Sequence, residues 1–437
     1  MSLQRAFDGF SAAGRTALCA ACGVLLACAV SNASADTGKI EAELSGRLAM
    51  EGRWFPNEAA HPGQRDGSLG FTAEPTLYLE HEDGGSFTLT PHYRYDGADP
   101  HRTNADLREA YLLVFDELGE GEWEARLGVD RVFWGVTEFH HLVNIVNQVD
   151  LTDHPNEESR MGQLMAHLTW STDWGELEFF AMPLHRERTL PGRKGRLRTQ
   201  VPFDQRRVSY ESAAEEWHVD LAARYSRSIG PLDMGVSVFD GTSREPSFIP
   251  TLQAVQGLPF PVPRTLVPHY AQIRQYGLDA QLTIESWLIK LEAIRREGAR
   301  NRADMRNPAG KEEDYAAFAA GVEYTFSGVF DSEADISLLG EWSYDERGRR
   351  STNRYQNDVF FASRLALNDV ENTEFVASVI ADTDYSTYIM GFEAKRDLSD
   401  SWTATVEGAV MLEVDEKDVI HNTRRDGYVV LNVTYSF

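Results

Sequence analysis

From Ile40 to Trp54 the chain alternates strictly. Ile40, Ala42, Leu44, Gly46, Leu48, Met50, Gly52 and Trp54 take the even positions, while Glu41, Glu43, Ser45, Arg47, Glu51 and Arg53 take odd ones. A period of two puts apolar side chains on one face of a β-strand and polar ones on the other. At about 15 residues the run is far longer than the ~5–6 usual for strands of soluble sheets. The alternation returns at Leu69, Phe71, Ala73, Leu77 and Leu79, turns at Asp83, Gly84 and Gly85, and resumes with Phe87, Leu89, Tyr93 and Tyr95. Two such runs around a tight turn predict a hairpin. Further alternating runs begin near Trp123, Leu164, Trp217, Tyr276, Phe318, Ala334 and Trp402.

The connections fall into two alternating kinds. Short ones lie at 83–85, 117–121, 171–175, 229–231, 285–286, 328–332, 369–372 and 397–401. Longer polar segments lie near 55–67, 97–106, 133–162, 185–215, 240–272, 298–313, 345–356, 383–386 and 413–426. Strands of this length, with short turns at one rim and long loops at the other, predict an all-β chain. The expected fold is a transmembrane antiparallel up-and-down β-barrel of about 18 strands (roughly 16–18), with short periplasmic turns and long extracellular loops. Trp123, Trp170, Trp287 and Trp402 stand beside short turns and Trp54, Trp217 and Trp342 beside long loops, which is the layout of two interfacial aromatic girdles.

The last strand carries Val429, Leu431, Val433, Tyr435 and the terminal Phe437 on one face. This resembles the C-terminal signal of Gram-negative outer-membrane proteins, and the mature chain as a whole resembles their porin-like β-barrels. The resemblance is specific for class and not for solute. It implies handling by the barrel-assembly machinery and residence in the outer membrane of a Gram-negative bacterium, in contact with its lipid and lipopolysaccharide. It also implies passive passage of small hydrophilic solutes, and a homo-trimer as one assembly open to such barrels. The segments 133–138 and 241–246 look like signatures of an uncharacterised branch without known chemistry.

Upstream of the first strand, Arg5 and Arg15 precede an apolar run from Ala17 to Val30 and the small residues Ala33, Ser34 and Ala35. This is the pattern of a secretory signal cut between Ala35 and Asp36, which leaves 36–437 as a single barrel domain. Cys28 sits in a lipobox-like context, a competing cleavage site. Cys19, Cys22 and Cys28 all lie in the leader, so the mature chain has no disulfide, thiolate metal site or cysteine nucleophile.

Charge narrows the function classes. With 68 acids against 42 bases and a net charge of −26, there is little reason to expect a nucleic-acid partner. A mean hydropathy of −0.39 argues against a helical membrane bundle but is compatible with a barrel, whose two faces average out. No zinc-protease, nucleophile-elbow or phosphate-loop motif is present, so neither enzyme nor cofactor is expected. Glu138, His140, His141, Asp150 and His154 match no defined metal spacing, and loop polarity accounts for them more simply.

A barrel this wide is expected to hold an aqueous channel. Arg47, Arg53, Arg94, Arg126, Arg224, Lys290 and Arg364 face the lumen on the predicted register, beside more numerous acids such as Glu51, Glu74, Asp279, Glu341 and Glu407. Loop 133–162 is unusually apolar and loop 185–215 unusually basic; each either folds into the lumen or packs above the membrane. Arg186, Arg188, Arg193, Lys194, Arg196 and Arg198 are the candidate constriction and selectivity residues, with lipopolysaccharide binding as the alternative. The Pro-rich loop 240–272 can serve as an exposed platform or as a cap. Two other function classes stay open: a surface adhesin or receptor with a closed lumen, and a barrel hydrolase.

Overall fold

A computed structural model describes residues 40–437 except 83, 155–156, 258, 304–306 and 308–309. The cleavage point at Ala35 and Asp36 lies outside the described residues. Twenty-one strands follow in chain order: β1 (Ile40–Trp54), β2 (Gly67–His81), β3 (Ser86–Asp96), β4 (Asn104–Leu118), β5 (Gly121–Asp130), β6 (Gln163–Thr172), β7 (Gly175–Met182), β8 (Ser209–Tyr210), β9 (Asp220–Ile229), β10 (Leu232–Thr242), β11 (Ser247–Gln253), β12 (Val262–Tyr270), β13 (Gln272–Ile284), β14 (Trp287–Glu297), β15 (Tyr315–Phe326), β16 (Asp335–Asp345), β17 (Asn357–Ala366), β18 (Glu374–Asp382), β19 (Tyr388–Ser399), β20 (Trp402–Glu413) and β21 (Tyr428–Ser436).

Eighteen of them form one closed, antiparallel up-and-down barrel. Each barrel strand pairs with the barrel strands before and after it in sequence, β7 joining β9 and β10 joining β13 directly, and β21 closes on β1 from Arg47↔Ser436 to Trp54↔Val429. Closure removes the unpaired edges that an open sheet of these long strands would expose. Beyond the last paired residue, Gly46 and Phe437 exchange backbone hydrogen bonds in both directions. Val429, Leu431, Val433 and Tyr435 lie on the outward face of β21, and the Tyr435 ring packs between Trp402 and Phe437.

The period-two pattern decides which face points where. On β1, Met50 is 65% exposed on the outside whereas Glu51 and Arg53 are buried on the inside. Leu69, Leu127, Leu168, Leu221, Ile289, Phe361 and Leu431 continue the exposed apolar belt around the barrel. A continuous belt of this kind is solvated by lipid hydrocarbon and not by water. Trp54, Trp217, Trp287, Trp342 and Trp402 are exposed at its margins, and Trp123 and Trp170 are partly shielded there.

Two local expectations change. Trp217 does not open a strand; it ends a short 3-10 turn (Glu215–Trp217), and β9 begins at Asp220. Segment 240–272 is no irregular loop either: β11 and β12 form a hairpin whose last two residues pair with β8. Its prolines disguised it. Pro250, Pro263 and Pro268 cannot donate to a ladder, yet a three-stranded ribbon this small leaves open edges where they are tolerated.

Candidate functional site

The long connection between β5 and β6 makes its contacts with inward-facing side chains of the barrel wall. Trp134, Leu142, Val143, Ile145 and Val146 form one buried apolar cluster with Met165, Phe180, Ala222, Phe239, Ile273, Ile294 and Ala319. Those partners come from β6, β7, β9, β10, β13, β14 and β15, so one side of the wall carries an apolar patch on its otherwise polar inner face. Burial of this size is the main driving force that holds the segment down.

Two wall carboxylates give the segment its path. Glu292 on β14, fully buried, accepts the backbone N–H groups of Val136 (2.9 Å), Thr137 (3.1 Å) and Val143 (3.0 Å) and the Thr137 hydroxyl (2.7 Å). Glu341 on β16 accepts the N–H groups of Glu138 (2.8 Å) and Phe139 (2.9 Å). Gly135 makes the turn onto Glu292 possible: its φ is +139°, and a Cβ there would lie 2.7 Å from Glu292 Oε1. This explains the motif at 133–138. Beyond it, the Phe139 ring stacks on Phe360 at 4.7 Å and His154 meets Glu407 at 3.1 Å, carrying the segment to β17 and β20.

The motif at 241–246 is a second anchor. Gly241 lies so close to Asp220 that a Cβ would fall 2.4 Å from its Oδ1. Asp220, fully buried, accepts the Thr242 N–H at 2.8 Å and pairs with Arg244 at 2.6 Å. Arg244 also donates to the carbonyl of Val146 at 3.2 Å and lies over the Phe239 ring. Burial would raise the neighbouring Glu245 carboxyl, but Arg347 and Arg296 bring it down to about 2.

The six basic residues between 186 and 198 do not come together as a ring. Arg186 pairs with Asp106 at 2.7 Å. Arg196 is buried over the Phe55 ring, paired with Asp426 at 2.6 Å and Asp66 at 2.9 Å. Arg198 donates to the carbonyls of Thr199 and Gln200, and Arg193 and Lys194 are exposed. Arg188 alone of the six lines the main internal cavity. The bases named on the strands are each answered by an acid. Arg47 meets Glu74, Arg53 and Arg94 share Glu51, Arg126 meets Glu124 and Asp130, Arg224 meets Asp279, Lys290 meets Glu138 and Glu323, and Arg364 meets Glu374.

That cavity measures about 760 Å³ and is walled by segments 139–160 and 188–203 and by the ends of β14–β20 nearest the long loops. Arg160, Arg354, Asp358 and Asp418 belong to it, and none of them stands out in the sequence, where each is one charge among many in a polar loop or at a strand end. Burial lowers the Arg160 guanidinium to about 10 against the opposing pull of Glu157, with Arg188 adding to the fall. Glu157 itself would be raised by burial, but Arg188 and Arg354 outweigh this and hold it below the usual carboxylate range. Of Glu138, His140, His141, Asp150 and His154, His140 turns to Ser343 and Asn353 and Asp150 to Arg108, so they point at different partners. Among the described residues no group of three metal-ligating side chains converges.

No family model matches the chain, and no curated protein matches it. Solved structures that it resembles include two mutants of the Rh. blastica porin, with TM-scores of 0.41 and 0.42 at 11% identity, covering 91% of this chain and 100% of theirs. Another, from work on asymmetric conductivity of engineered proteins, matches at TM-score 0.41 and 11% identity over the same shares. The barrel assignment rests on the strand pairing of this chain, in which eighteen antiparallel strands close on themselves around a polar, partly filled interior.

Proposed function

We propose that the protein is a porin-like channel of the Gram-negative outer membrane through which small hydrophilic solutes diffuse passively, with segments 133–162 and 185–215 setting its narrowest section. The observation that carries this reading is the pairing of an apolar outer belt with an ion-paired polar interior that holds a cavity of about 760 Å³. A lipid-facing barrel needs only the belt; a polar, charged lining is what a water-filled path requires. Outer-membrane lipid, lipopolysaccharide and the barrel-assembly machinery are its natural partners, and a trimer is compatible with the belt.

Single-channel recording of the refolded protein in a planar bilayer under a salt gradient tests this. Stable current steps are expected. Because most luminal bases are paired and the basic run 186–198 is dispersed, neutralising Arg193 and Lys194 is expected to leave the reversal potential unchanged, whereas neutralising Arg188 shifts it toward cation preference. A folded barrel without current steps would favour the adhesin reading, in which the extracellular ribbon β8–β11–β12 is the working part. Orientation is tested separately: a cysteine placed at Arg193 is expected to react with impermeant maleimide on intact cells, and one at Val370, 95% exposed in a short turn, only after lysis.

A further inference from the structure

Between Glu245 and Arg264 the chain carries no charged side chain, although 25% of the whole sequence is charged. This stretch, from Pro246 to Pro263, builds most of the β11–β12 hairpin. The hairpin contributes Phe248, Pro250, Pro263 and Leu266 to the lining of the internal cavity, and the Phe203 ring, also in that lining, packs on Phe248 at 4.9 Å. Toward the hairpin tip, Phe260 is 76% exposed, and Leu252 and Val255 are exposed as well.

The other walls of the cavity match this face. Ile389 and Met411 come from the strand ends, Val419 and Ile420 from the last long connection, and Leu142 and Ile145 from the inserted segment. Charged groups in the same lining are answered within the protein. Arg296 holds Glu245 at 3.1 Å, and Arg354 holds Glu157 at 3.6 Å, with Arg160 and Arg188 facing the same carboxylate. Asp418 accepts the Thr387 hydroxyl at 2.6 Å and the Ile420 N–H at 3.0 Å. What remains to face a ligand is mainly hydrocarbon.

A solute that buries hydrocarbon against such walls gains free energy by releasing the water held there. An ion entering the same space gives up hydration and finds the counter-charges already engaged. We propose that this cavity captures a small, uncharged and mainly apolar solute, of the size of a one- or two-ring hydrocarbon, which enters past the exposed tip of the β11–β12 hairpin. Tip and cavity face belong to one hairpin, and no charged side chain interrupts it between them. The volume of about 760 Å³ is within the roughly 300–1,000 Å³ typical of small-molecule sites, which are lined mostly by apolar side chains. This adds a solute class beyond the hydrophilic ones of the channel reading, and the binding does not depend on conduction.

The experiment is isothermal titration calorimetry of the folded barrel in lipid nanodiscs, with empty nanodiscs as the blank that removes partition into lipid. The probes share one ring system: 2-naphthalenemethanol is uncharged, 2-naphthoate is an anion and 2-naphthylmethylammonium is a cation. The uncharged probe is expected to bind at least about tenfold more tightly than either ion. The cation is the strict control, because Asp358 is buried against Asp382 across the β17–β18 pair and would draw it if acids governed the site. The near-isosteric double variant Met411→Gln/Val419→Thr is expected to weaken the uncharged probe by about fivefold or more. Met390→Gln, on the outer belt, is expected to leave it unchanged. Heat-modifiable gel mobility confirms that each variant is folded, and the comparison of probes on the unmodified barrel needs no variant. Equal or tighter binding of either ion, no binding of the uncharged probe above the blank, or unchanged binding in the folded double variant overturns the proposal. A conducting barrel that binds none of the three keeps the channel reading and loses this site; a silent barrel that binds only the uncharged probe does the opposite.

Discussion

Replacing Glu292 by alanine is expected to raise single-channel conductance severalfold and to destabilise the folded barrel by about 3–5 kcal/mol. The carboxylate answers four donors, three of them backbone N–H groups; only the Thr137 hydroxyl has another acceptor, the His140 carbonyl. A buried donor left without an acceptor costs about 1–3 kcal/mol, and the segment can recover part of that only by lifting away from β14 to admit water. On the channel reading, lifting is expected to widen the lumen, because the same segment carries Val143 and Val146 into the apolar cluster. Glu292→Gln keeps one acceptor oxygen but turns an NH₂ toward the remaining donors, so an intermediate change in both quantities is expected. The urea midpoint of the refolded barrel and its conductance measure the two effects. A Glu292→Ala barrel with the original conductance would show that apolar burial alone holds the segment.

Arg244→Ala is the second change with a large expected effect, a loss of about 3–5 kcal/mol. Arg244 is 4% exposed and its partner Asp220 is fully buried, so removing the guanidinium strands a carboxylate in a site that excludes water. The Thr242 N–H still reaches Asp220, and His218 lies 2.9 Å away, but neither replaces a full positive charge. The Val146 carbonyl also loses its donor, which loosens the inserted segment from the β10 side. The double variant Asp220→Asn/Arg244→Met removes both charges and keeps the volume, so it is expected to recover a substantial part of the loss. If the double variant is as unstable as Arg244→Ala alone, charge pairing is not what Arg244 contributes.

Both anchors contain residues conspicuous in the sequence for reasons that only contacts explain. Gly135 and Gly241 sit in motifs that composition and spacing could mark as unusual, yet their meaning lies in Glu292 and Asp220. Glu292 is 157 positions from Gly135, and on its own strand it is merely another polar residue at an alternate position. In the basic run 186–198, proximity in sequence does not carry over to proximity in space: an irregular segment turns successive side chains in different directions, so Arg186, Arg188 and Arg196 meet three separate sets of partners.

What the sequence by itself determined is the barrel: about eighteen strands, which face of each meets the exterior, the alternation of short turns and long connections, and a C-terminal strand with its apolar residues on one face. These follow from a period of two repeated along the chain, a local property, because a strand's neighbours in an up-and-down barrel are its neighbours in sequence. The interior belongs to the tertiary structure. Which luminal charges are cancelled, that β11 and β12 form a ribbon despite their prolines, and that Arg160, Arg188, Asp358 and Asp418 share one cavity all depend on where long connections fold. Those connections have no period to read, and their partners are set by burial and ion pairing across the lumen between residues far apart in the chain.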